Sequence, residues 1–399
     1  MTMKLTRRAA LLGLSSAVSL TGIAGRASLA LAAAPTDRRF VVVILRGAMD
    51  GLAVVPPYGD PALAGLRGEL IPPPPGQPNG MHDLGGFYGL HPALVNLYAM
   101  YQAGDLLVVH AAAGPYRSRS HFEAQDYLES GADHRLTSGW LNRAVAAMPP
   151  EPGAPAGLAM AVGVTVPLLL RGPATVSNWA PHGFATPEPD LYARIAQLNH
   201  GDRLTGPAIA DGLRARAFAG DVMASDTAGK GRYAFPALAE SAGRLLGAAG
   251  GPRIAAMEIN GWDTHVAQMA RLEEPLRQLD AGLGAMKTAL GPAWRETAIL
   301  VVTEFGRTAR VNGDKGTDHG TATAAFALGG AVAGGRVRAN WPGLGPGKLF
   351  ENRDLAPTVD VREVAMGLLA SHLGLPQATL AQVFPGSSTD TPMRGLLRA

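Results

Sequence analysis

The chain has 399 residues, 51 of them Gly and 31 Pro, and is 47% apolar, which is enough for a large core in one domain or two and excludes a largely disordered protein. It has no cysteine, which excludes disulfides and thiolate metal ligands. Its formal charge of +3 includes Lys4, Arg7, Arg8 and Arg26, all in a leader without acids, so residues 35–399 carry −1 and offer no charge argument for nucleic-acid binding.

Residues 1–34 read as a twin-arginine signal peptide. Arg7 and Arg8 precede a mild apolar run containing Gly and Ser, and SLALAAAP offers small-residue cleavage sites. An ordinary secretory signal or an uncleaved anchor is the plainer alternative. The expected partner is the twin-arginine export machinery and the expected location periplasmic or secreted. No membrane span is expected after the signal, because no later stretch of about 18 apolar residues lacks charge.

RRFVVVILRGAMDG then predicts a strand buried on both faces and closed by a Gly-rich turn. IPPPPGQPNG (Ile71–Gly80) is a loop. His91–Gly104 predicts a helix, Asp105–Gly114 a strand, and Ser120–Gly131 a helix with Ser120 and Glu123 as a capping box. That alternation is a βαβ pattern. Residues of about 175–235 read as an inserted cap region. The sheet resumes at RIAAMEING (Arg253–Gly261), and a long helix follows, from near Thr264 to about Leu290. TAILVVTEFG (Thr297–Gly306) and TATAAFALGG (Thr321–Gly330) are further strands, and Asp354–Gly374 ends the fold with a helix. The expected fold is α/β, a mostly parallel sheet with helices on both faces, in a single domain over 35–399.

Several strands end in acids or imidazoles: Asp50; Ser120 and His121; Asp263 and His265; Glu304, with Asp318 and His319 on the loop after it. In a parallel sheet all carboxyl ends share one edge, so these groups can converge. A carboxylate and imidazole set without sulfur suits a divalent metal, Zn²⁺, Mn²⁺, Mg²⁺ or Ca²⁺, in one or two ions. Each residue also has a plainer role. Asp50 makes a turn before Gly51, Asp263 caps a helix, His265 is a surface group, and His319 sits in a turn. Glu304 pairs with Arg307, and Asp318 only orients His319. His121 is intermediate, and the other histidines are structural or surface groups. Ser120, at a helix N-terminus, is a candidate nucleophile or simply a cap. Arg46, Arg117, Arg119 and Arg307 lie close to these motifs, and guanidinium groups suit a tetrahedral oxyanion. The candidate catalytic set is Ser120, Arg119 and Arg46. The candidate metal set is Asp50, Asp263, His265, Glu304, Asp318 and His319.

The segments LRGAMDGLAVVPPYGD, RSRSHFEAQDYLESG, GWLNR, NGWDTH and TEFGRTARVNGDKGTDHGTA, with the tail TVDVREV, resemble the exported bacterial family called domain of unknown function 1501. That family resembles the alkaline phosphatase and sulfatase superfamily. The resemblance implies a metal-dependent hydrolase of phosphate or sulfate esters acting on a small-molecule or polymer substrate. It puts Asp50 at the first-strand metal Asp, Ser120 near the nucleophile, Asp263 and His265 at the Asp and His of the other metal, and His319 at the later His. Two departures stand out. Asp263 and His265 are two apart rather than four, and Phe305 follows Glu304 where a His would stand, with Asp318 as a substitute. They motivate one alternative, a non-catalytic binding or scaffold protein of the cell envelope; a second, an envelope polysaccharide-modifying enzyme, comes from TVSNWAPHGF and the aromatics Tyr116, Trp140 and Trp179, which could stack on sugars but are more simply core or loop anchors.

Overall fold

The computed structural model describes residues 37–149, 157–181, 189–199, 202, 205–223, 234–387 and 391–399. The expected leader and parts of the expected insertion lie outside them. Residues Asp37–Ala399 form one compact unit. In chain order its main elements are β1 (Arg39–Leu45), α1 (Val95–Gln102), β2 (Leu106–Ala113), α2 (His121–Ser130), α3 (Trp140–Ala147), β3 (Ala159–Val162) and β4 (Ser177–Trp179). There follow α4 (Pro189–Asn199), α5 (Thr205–Val222), α6 (Phe235–Gly247), β5 (Ile254–Ile259), α7 (Gln268–Leu290), β6 (Thr297–Thr303), β7 (Thr323–Leu328), β8 (Arg336–Arg338), β9 (Val359–Asp360), α8 (Val361–His372) and α9 (Gln377–Val383).

The strands form one sheet in the order β8-β2-β7-β6-β1-β5-β3-β4, with β9 also paired to β2. Only β7 runs against its neighbours, β2 and β6; every other pairing is parallel. The expected α/β fold is the one observed. β1 shows why a continuous apolar run is needed at the centre. Val41, Val43 and Leu45 pack into the core under α1, α6 and α7, while Phe40, Val42 and Ile44 pack into the opposite core under α3, α8 and α9. Successive side chains alternate across a strand, so a strand covered on both sides must be apolar at every position. β4 is an edge strand, so the start of the expected insertion belongs to the sheet. No helix among the described residues is long and apolar enough to cross a membrane.

Helix starts differ from the sequence expectation. α1 begins at Val95 rather than His91, because the residue before a proline disfavours the helical region and Pro92 follows His91. α8 begins at Val361, where Asp360 caps it by accepting the Arg362 N–H, and Pro357 keeps the preceding segment extended. α7 begins at Gln268 and not near Thr264, so Asp263 is not its cap. Ser120 occupies the N-cap position of α2 but makes no side-chain capping bond, and Glu123 instead accepts the Tyr116 hydroxyl. The capping box therefore does not form.

Two buried histidines tie strands to their surroundings. His110 Nε2 meets the Val55 carbonyl at 2.9 Å while its Nδ1 accepts the Ala111 N–H, and His372 Nε2 meets the Arg39 carbonyl at 2.9 Å. Burial pushes both imidazoles down to about 4. Above their unfolded value of about 6.5 neither state carries the proton. As the pH falls from there toward 4, only the unfolded chain gains protons, and stability falls by about 3 kcal/mol per histidine. His372→Gln should lose that share of the pH slope, read as the urea midpoint against pH in variant and wild type. Identical slopes would contradict the assignment.

Candidate metal centre

The carboxyl ends of β1, β2, β5 and β6 lie along one edge of the sheet, and the loops that leave them meet there. Arg307 fastens them together. Its guanidinium is buried and donates to the carbonyls of Gly47 at 2.7 Å, Ala48 at 2.9 Å, and Trp262 and Thr317 at 3.1 Å, and to Asp263 Oδ1. Gly47 lets the β1 and β5 loops approach: φ is +116°, and a Cβ there would lie 2.6 Å from the Asp263 nitrogen.

Three imidazoles surround that same Asp263 oxygen. His265 Nε2 lies 3.1 Å from Oδ1, His319 Nε2 3.4 Å and His121 Nε2 3.5 Å. In each ring the other nitrogen is held. His121 Nδ1 is 2.7 Å from Glu304 Oε1, His265 Nδ1 is 3.2 Å from Asp318 Oδ1, and His319 Nδ1 is 2.9 Å from the Arg119 carbonyl. A carboxylate or carbonyl accepts, so each Nδ1 must carry the hydrogen and each neutral ring presents a bare Nε2 lone pair. His265 and His319 then face one another, Nε2 to Nε2, at 2.9 Å, which needs a cation or a shared proton between them. His121 Nε2 is buried without a hydrogen-bond partner. These are the marks of a metal site whose imidazoles are aimed from behind. Donors about 2.0–2.2 Å from a tetrahedral ion lie roughly 3.3–3.6 Å apart, which His319 and His121 match in their spacing to Asp263, while His265 stands closer, 2.9 Å from His319. The ligand atoms of His121, Asp263 and His319 fall within 4.8 Å of one another and could hold a metal ion.

The surrounding charges fit this arrangement. Burial would raise the Asp263 carboxyl, but Arg307 outweighs it and holds the pKa below the ordinary value. Burial would likewise raise Glu304, yet the bonds from His121, Gln125 and the Gly47 N–H bring it down. The Glu304 bond raises His121, while burial lowers His319. Asp318 is held low chiefly by the Asn312 amide. Phe305, standing where the resemblance expects a ligand, packs 5.0 Å from the His121 ring and 5.1 Å from the His319 ring. It walls the imidazoles in.

The other candidate residues are placed differently. Asp50 caps the short helix Gly51–Val54, and its carboxylate is shared by Arg67, the Leu52 N–H and Gln268 Nε2. Its side chain is 1% exposed against 47% for Asp263, so an ion arriving from solvent meets only the latter. Burial raises the Asp50 carboxyl, but Arg67, Gln268 and Arg307 together hold it below the ordinary value. Glu304 and Asp318 stand behind His121 and His265, each on an Nδ1. Arg119 contributes its carbonyl, and its guanidinium pairs with Glu351 and Asp354. Arg46 pairs with Glu129 and Glu258. Neither guanidinium is directed to the cluster. Ser120 precedes His121.

Two contributors carry little or no sequence signal. His121 follows a strand end as His265 does, but it also fits an ordinary helix start. Gln268 had no signal: it is buried, and its Oε1 accepts the hydroxyls of Thr264 and Thr317 while its Nε2 donates to Asp50.

A family model described as "Protein of unknown function (DUF1501)" matches residues 108–384. No curated protein matches the chain. Among solved structures, the phosphonate monoester hydrolase of Agrobacterium radiobacter is similar at 11% identity, with 76% of this chain and 70% of that chain covered and a TM-score of 0.33.

The two acids should respond differently to removal. Asp50→Ala leaves Arg67 charged and buried and should cost about 3–5 kcal/mol in chemical denaturation. Asp263→Ala should cost less, since Arg307 keeps four carbonyl acceptors. Equal losses would contradict this division between a structural and an accessible carboxylate.

Proposed function

The chain belongs to the DUF1501 family, and from that premise we propose that it is a metal-dependent hydrolase of phosphate or sulfate esters, exported through the twin-arginine machinery. In this proposal His121, His265 and His319 hold the ion through Nε2 and Asp263 through a carboxylate oxygen. The observation that carries it is the set of three Nδ1 atoms tied back to acceptors while the Nε2 atoms converge on Asp263. Three nitrogens and one oxygen favour Zn²⁺ over Mg²⁺ or Ca²⁺, which prefer all-oxygen shells. One ion is proposed rather than two, because the Arg67 guanidinium already neutralises Asp50.

A divalent cation would supply polarisation of an ester oxygen and a lowered pKa for the attacking group. The chain's own residues do the rest. Glu304, Asp318 and the Arg119 carbonyl fix the tautomer of each imidazole. Arg307 keeps Asp263 ionised and immobile. Ser120, at the N-terminus of α2 and free of a capping bond, is the proposed nucleophile.

The alternative, a binding or scaffold protein, is favoured by one observation: the guanidinium groups of Arg46, Arg117, Arg119 and Arg307 are all engaged by protein acceptors. Protein purified without chelators should contain about one equivalent of metal. Glu304→Gln should weaken metal affinity about 10–100-fold with little change in fold. Ser120→Ala should keep the metal and lose hydrolysis of aryl phosphate or aryl sulfate. A folded wild type that takes up none of Zn²⁺, Mn²⁺, Mg²⁺ or Ca²⁺ would sink the hydrolase; a metal-loaded one inert on both esters would favour the scaffold.

A further inference from the structure

A groove of about 470 Å³ opens beside the metal centre, with Asp263 in its lining. Its other walls are Asn260 at the end of β5 and the face of α7 carrying Arg271, Glu274, Pro275 and Gln278. Gly261 helps to keep it open. Its φ is +102°, and a Cβ there would come within 3.2 Å of the Pro275 ring. Pro275 lies inside α7 and lacks an N–H, so the Arg271 carbonyl loses its usual donor four residues on.

Arg271 differs from the other arginines of this edge. Arg46, Arg67, Arg119 and Arg307 each meet a carboxylate. Arg271 is exposed, lines the groove, and makes no ion pair among the described residues. Neither nearby carboxylate pairs with it: Asp263 is engaged by Arg307, and Glu274, which keeps its charge, accepts the Gln278 amide at 2.8 Å. A guanidinium without an ion pair among the described residues thus lines the same groove as the exposed carboxylate of the centre. Its fork of donors matches two oxygens of a tetrahedral anion.

We propose that Arg271 is the specificity-determining residue of this site, pairing with the anionic oxygens of a phosphate-type ester seated in the groove beside Asp263 and so selecting anionic esters over neutral ones. This rests on the hydrolase proposed above for the chemistry, but the recognition itself is testable without turnover. The probe is phenylphosphonate, titrated calorimetrically into zinc-loaded and metal-free full-length protein, with zinc content measured in parallel. Arg271→Gln should weaken binding at least tenfold, and Arg271→Lys should recover part of the loss. Arg277→Gln, on the same helix but outside the groove lining, should leave binding unchanged. Zinc content should be the same in all four proteins. With 4-nitrophenyl phosphate as substrate, Arg271→Gln should raise KM at least tenfold with kcat within about twofold. Zinc at one equivalent with phosphonate binding indifferent to Arg271, or no phosphonate binding in any form, overturns the proposal. Phosphonate binding that needs Arg271 in a protein that takes up no metal would sink the hydrolase and leave this recognition standing.

Discussion

The buried guanidinium of Arg307 is the constraint from which the rest of this edge follows. A charge taken out of water needs acceptors on every side, and here they come from the loops after β1 and β5 and from the 317–319 loop. Backbone bonds join these loops in pairs, Trp262 N–H to the Arg46 carbonyl and Thr317 N–H to the Thr264 carbonyl, and one planar group with five N–H donors meets Gly47, Trp262 and Thr317 at once. Asp263 is drawn to the same group, and the imidazoles gather on the oxygen it fixes.

A second buried pair stands beside the first and has another outcome. Asp50 and Arg67 are both fully enclosed, and the carboxylate is saturated by Arg67, the Leu52 N–H and Gln268. Asp263 faces an arginine of the same kind but keeps nearly half of its side chain in solvent. Burial and partner count, rather than residue type, separate a structural carboxylate from one that can meet an ion. Gln268 joins the two by binding Asp50 on one side and, on the other, the threonines beside His265 and Asp318. Loosening either network disturbs the spacing of the imidazoles.

The imidazoles also show why the supports matter as much as the donors. Each ring is held behind by a different kind of acceptor, two carboxylates and one backbone carbonyl, and Phe305 walls in two of the three. The departures from the resemblance thus have a physical content. Glu304 is longer than an Asp and reaches the back of His121, and the residue after it packs instead of ligating.

Much of the architecture was legible in the residues alone. The apolar runs of β1, β2 and β6, interrupted in β2 by His110, can be buried on both faces only in a covered, mostly parallel sheet, and that sheet forces their polar ends onto one rim. Asp263, His265 and His319 were legible as rim groups for the same reason. What only the tertiary structure decided was each group's partner. Asp50 met Arg67 from a helix 17 residues away, His121 met Glu304 across 183 residues, and α7 started four residues later than its pattern implied. Periodicity records which side of an element faces the core. It does not record which charge lies opposite in three dimensions, and that pairing divides these acids between holding the fold and facing an ion.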